Sequence, residues 1–108
     1  MGTNCSLFLK KDGVFKDQVH LDRWYIFVDS FDSGIVMTRQ DMLGKLNNLK
    51  QKINNDELDY NYDPKHHLSW INKAIGALLS NPDIQKVALA ADFDIEHNDS
   101  QAYPVVRT

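Results

Sequence analysis

A chain of 108 residues, 43% hydrophobic and 25% charged, has the size and balance of one globular domain. Its formal net charge of −3 argues against a general nucleic-acid binder, which needs a basic face to displace counterions from phosphates. The single cysteine, Cys5, leaves no internal disulfide, and no apolar run approaches the ~20 residues of a membrane span. With an N-terminus lacking signal-peptide character, these features point to a cytoplasmic protein that does not engage membranes.

The N-terminal third reads as β-structure. Ser6-Leu7-Phe8-Leu9-Lys10 is a short apolar run stopped by Asp12-Gly13, a dipeptide suited to the positive φ angles of a tight hairpin, and a strand should return through Val14-Phe15-Lys16. Trp24-Tyr25-Ile26-Phe27-Val28 is aromatic and β-branched throughout, so it is expected to be the most buried strand. Gly34 reads as a turn residue.

Two helices follow. Thr38-Arg39-Gln40-Asp41 is a capping-box-like start, and Met42, Leu43, Leu46, Leu49 and Ile53 recur at three- and four-residue steps to about Asn54. After the polar stretch 54–63, Asp63 as N-cap and Pro64 at the first helical position open a second helix. Its buried stripe is Leu68, Ile71, Ile75, Leu78 and Leu79, and Asn81-Pro82 ends it. Gly44 and Gly76 fall inside these helices, where close approach to a neighbouring element would explain them.

The last element is a strand from about Lys86 to Asp94, with Val87, Leu89, Ala91, Phe93 and Ile95 toward the core. Its even positions turn acidic. Residues 97–108 read as a tail or a short edge strand at Tyr103 to Val106. The whole is a single α+β domain: an antiparallel sheet of three to four strands with two antiparallel helices on one face, in the order β-β-β-α-α-β.

Two places could carry function. An extended chain would set Asp92, Asp94 and Glu96 on one face with His97 at the strand end, a set able to hold a hard divalent cation and activate water. The same spacing serves a strand that leaves the core with a solvated face. His66-His67 lacks the spacing of a zinc pair and reads as partly exposed polar residues near a helix start. No glycine-flanked serine elbow, phosphate loop or cofactor motif is present. Cys5 reads as a small buried hydrophobe. The second place is the interhelical connection, where Asp56, Glu57 and Asp59 surround Tyr60 and Tyr62. Tyrosine gives large contact area at small entropic cost, so this loop could dock on the basic surface of a partner.

The opening Met1-Gly2-Thr3-Asn4, the compact Leu21-Asp22-Arg23-Trp24-Tyr25 segment and the small acidic whole resemble the accessory proteins that tailed bacteriophages encode for host takeover or for blocking host defences. That group shares no single fold, and no functional residue carries over from it. The resemblance implies a stoichiometric binder of a host protein in the host cytoplasm or, less often, a sponge for a small signalling molecule. The favoured expectation is therefore a non-enzymatic binding or inhibitor module without a cofactor, using the Asp56–Tyr62 loop, the face of Asp92, Asp94 and Glu96, or both. A small metal-dependent hydrolase or nucleotide-processing enzyme on Asp92, Asp94, Glu96 and His97, and a ligand sponge at the interface of a homo-oligomer, stand as alternatives.

Overall fold

The computed structural model describes residues 3–55, 64–98 and 101–106. Four strands, β1 (Cys5–Lys11), β2 (Val14–Leu21), β3 (Ile35–Thr38) and β4 (Lys86–Ala91), form an antiparallel sheet in the order β2-β1-β4-β3. Helices α1 (Arg39–Asn54) and α2 (Pro64–Leu79) pack together on one face, α1 over β3 and β4 and α2 over β2. The α+β class and the β-β-β-α-α-β order thus stand. A second, two-stranded sheet of β5 (Ile95–Asn98) and β6 (Gln101–Pro104) completes the chain. Among the described residues, no helix is long and apolar enough to cross a membrane.

The first hairpin forms as its sequence requires. Asp12 and Gly13 both take positive φ, 54° and 83°, the pair of left-handed residues that matches the strands' right-handed twist. A bulge lies between Leu9 and Lys10, after which Lys10 faces Phe15 rather than residue 16, the partner the earlier even-to-even register would give it. It rotates Phe15 onto the face of Phe8, and the two rings meet edge-on at 6.5 Å.

β1 is buried on both faces. Leu7, Leu9, Val87 and Leu89 join Met42, Leu46, Leu49, Ile71 and Leu78 in the core beneath the helices. Phe8, Ala88 and Ala90 point the other way, yet none is exposed to solvent. β6 touches both β2 and β4, the two neighbours of β1, so it must cross the sheet, and it covers this second face. The domain is thus three-layered, with helices, main sheet and a small hairpin stacked in turn.

The expected strand at Trp24–Val28 is not a strand. Trp24–Ile26 is a turn of 3-10 helix, extended by Phe27 N–H on Trp24 O (2.9 Å) and Phe31 N–H on Phe27 O (2.9 Å). Trp24, Phe27 and Phe31 are spaced three and four apart, so successive turns bury all three on one side while Val28 faces out. The third strand is instead Ile35–Thr38, whose apolar run follows the bend at Gly34 (φ 81°). The most buried strands are instead β1 and β4, the two central ones.

Helix α1 begins where its cap places it, with Asp41 N–H donating to Thr38 Oγ1 at 3.0 Å. Asn81 Nδ2 donates to Ala77 O at 2.7 Å and closes the end of α2. The proposed N-cap Asp63 lies outside the described residues. Neither Gly44 nor Gly76 fits its expected role, because a Cβ on either would meet nothing within 4 Å.

Candidate functional site

The site is built where β4 runs out. The alternation of β4 ends at Ala91, and Asp92–Asp94 turns as a short 3-10 helix before β5 resumes. That turn shifts the inside–outside phase by one residue. Asp94 goes inward to 3% exposure and Phe93 outward to 65%, the reverse of the strict alternation expected from the sequence. Asp92, Glu96 and His97 are exposed.

Hydrogen bonds from four segments hold this corner. Asp92 N–H donates to Asn4 O (2.9 Å), Trp24 N–H to Thr3 O (2.7 Å) and Gly34 N–H to Leu89 O (2.8 Å). Val105 N–H donates to Asp94 O at 2.6 Å, and Ala91 N–H to Ser33 Oγ at 2.8 Å. Phe93 is thus displayed on a fixed platform.

Beside Phe93 lies an open hollow of about 470 Å³ lined by Trp24, Val28, Phe31, Asp32 and Ser33. Val28 is 47% exposed, so two large apolar side chains face solvent at this corner. Exposed acids accompany them: Asp32 lines the hollow, Asp29 and Asp92 neighbour Val28 and Phe93 in the chain, and Glu96 lies at the start of β5. Glu96 also pairs across the second hairpin with Tyr103, a tyrosine beside a carboxylate. An apolar centre with a charged rim is the composition of a protein-docking patch.

As a metal centre, the Asp92, Asp94, Glu96 and His97 set does not assemble. Among the described residues no group of three or more His, Cys, Asp or Glu side chains comes together to hold an ion. The physical reason is the 3-10 turn, which sends Asp94 into the protein while its three companions stay in solvent. For the same reason Asp94 does not share a binding face with Asp92 and Glu96. Asp56, Glu57, Asp59, Tyr60 and Tyr62 lie outside the described residues.

The two histidines that open α2 part company. His66 is exposed and accepts from Trp70 Nε1 at 3.4 Å, whereas His67 is buried and meets Tyr25 edge-on at 5.7 Å. The reading of both as partly exposed fails for His67, whose ring is buried against Tyr25.

Cys5 is fully buried between Leu21 of β2 and Ala91 of β4. Burial, helped by the nearby Asp92 and Asp22 carboxylates, pushes its thiol from 9.0 up to about 12. The folded state therefore keeps this proton after the unfolded chain has lost it. The expected result is stability that is untouched by Cys5 below about pH 9 and falls as pH rises toward 12. Urea titrations across that range should show the slope in the parent and a shallower one in Cys5→Ala; equal slopes would refute the assignment.

Phe93 was missed in the sequence because strict alternation assigned it to the core. No local pattern in Asp92-Phe93-Asp94 signals the exchange, since alternation alone would put the aromatic inside and both carboxylates out. Comparison with known families, with curated proteins and with solved structures finds no match to this chain.

Proposed function

We propose that this protein is a non-enzymatic binding module that occupies a partner protein through the corner around Phe93. The observation that supports the reading is Phe93 itself, an aromatic ring 65% exposed on a backbone held from several sides. Keeping such a ring in water costs solvation free energy, and a rigid aromatic anchor recovers it when buried by a partner. The exposed acids Asp32, Asp92 and Glu96 select a partner with a basic surface and raise the rate of encounter. This fits the stoichiometric occupation of a host protein that the resemblance to phage accessory proteins implies.

Affinity capture from cell lysate, followed by titration calorimetry with the purified captured protein, tests this. Phe93→Ser should melt like the parent, because the ring is mostly in solvent. It should weaken binding by about 2 kcal/mol, roughly 30-fold, as loss of a hot-spot aromatic does. Undiminished affinity in Phe93→Ser would remove this corner as the binding surface.

A further inference from the structure

Gly44 is unexplained within one chain. It sits mid-way along α1 on an exposed flank, and a Cβ there would meet nothing within 4 Å. Glycine at such a position weakens a helix and gives the monomer no packing in exchange.

The adjoining strand raises a second question. β3 is a sheet edge, hydrogen-bonded on one side to β4 and on the other to no strand among the described residues. Its sequence, Ile35-Val36-Met37-Thr38, carries no charge, proline or bulge to discourage pairing. The opposite edge, β2, is guarded by Asp17, His20 and the bulge against β1. Arg39 N–H on Gln85 O (2.9 Å) continues the register in which Ile35 and Met37 face Leu89 and Val87. Alternation then turns the Val36 amide and carbonyl toward the open side.

The geometry points to a second copy of this chain, joined across a two-fold axis at Val36 so that β3 pairs antiparallel with its twin. From Val36 to Thr38 the chain advances about 7 Å, and α1, returning at about 1.5 Å per residue, recovers that distance near Gly44. Gly44 thus lies level with the axis. Helix α1 rides over β3 and β4. With strands about 4.8 Å apart, pairing β3 with β3 sets the two α1 axes about 10 Å apart, the separation of packed helices. The absent side chain is the one that would point into that contact.

Charge completes the match. Lys45 lies at the Phe31 end of β3, with its Nζ 3.3 Å from Ser30 O and 5.6 Å from the Phe31 ring centre. Asp41 lies at the Thr38 end, in the first turn of α1. Antiparallel pairing carries each Lys45 toward the other copy's Asp41, between that carboxylate and its own Asp32. Gln40 and Asn48, which line the same groove, fall opposite each other across Gly44.

Sedimentation and oxidative crosslinking test this interface. The parent should sediment at twice the 12.4 kDa chain mass as its concentration rises, and Gly44→Glu at one chain mass with an undiminished melting temperature. Gly44→Cys should form an intermolecular disulfide under mild oxidation, since Cys5 is buried and does not compete. A parent that stays at one chain mass, or a dimer that survives Gly44→Glu, would overturn the proposal, as would a Gly44→Cys protein that remains uncrosslinked. These readouts are independent of Phe93.

Discussion

Phe27→Ala should lower the unfolding free energy by about 3–5 kcal/mol, the range for removing a large buried aromatic. Phe27 has no solvent exposure and lies 5.9 Å from the Phe31 ring, edge to face. The segment holding it contributes no strand to the sheet, so side-chain burial, with Trp24 N–H on Thr3 O and Lys45 Nζ on Ser30 O, is what fastens residues 24–31 to the rest. Truncation would leave a cavity beneath Trp24 and Phe31 that rigid neighbours cannot refill. A urea denaturation series should show the midpoint fall with its slope unchanged. A loss under about 1 kcal/mol would mean that this segment is a peripheral loop and not a wall of the core.

An effect of similar size, about 3–5 kcal/mol, is expected for Phe8→Ala, for a different structural reason. Phe8 points away from the helices, yet it is as deeply buried as Leu7 on the helix side. Its burial depends on β6 crossing the second face of the sheet. The substitution should therefore loosen the β5–β6 hairpin as well as destabilise the domain. Hydrogen exchange should show the amides of Glu96 and Tyr103 losing protection before those of β1 and β4. If those hairpin amides keep their protection while global stability falls, the two layers are not coupled through Phe8.

The contrast between the two phenylalanines shows what was legible. Phe8 sits in a short apolar run before Asp12-Gly13, and a run of that length bounded by a tight-turn dipeptide has few readings other than a hairpin strand, although its central place in the sheet was not legible. Thr38 with Asp41, and the three-and-four spacing from Met42 to Ile53, leave as little choice for α1. Residues 24–28 mislead because every one of them is a good strand former, and β-propensity measures fit to a half-buried surface more than a backbone preference. The informative pattern was longer than the segment: Trp24, Phe27 and Phe31 keep helical spacing, and Val28 is the residue that leaves the stripe. β3 went unseen because Ile35-Val36-Met37 is only a short approach to the Thr38 cap, and its strand character comes from pairing with β4.

At the candidate site the failure has one cause. Strand alternation was carried three residues too far, past Ala91 and through the 3-10 turn Asp92–Asp94, which exchanged the environments of Phe93 and Asp94. A row of three carboxylates became two exposed acids beside an exposed aromatic ring. The change turns a surface suited to a divalent cation into one suited to a protein. Nothing local announces the turn, because what enforces it is remote: Asn4 O and Ser33 Oγ receive the Asp92 and Ala91 amides from elsewhere in the chain.

The most direct test places a benzophenone amino acid at position 93 and irradiates the protein in cell lysate. Binding through the Phe93 corner predicts a covalent adduct with one partner at near-stoichiometric yield, and none from the same group at Asn72 on the exposed face of α2. Adducts absent at position 93, or equal from the two positions, would contradict the account.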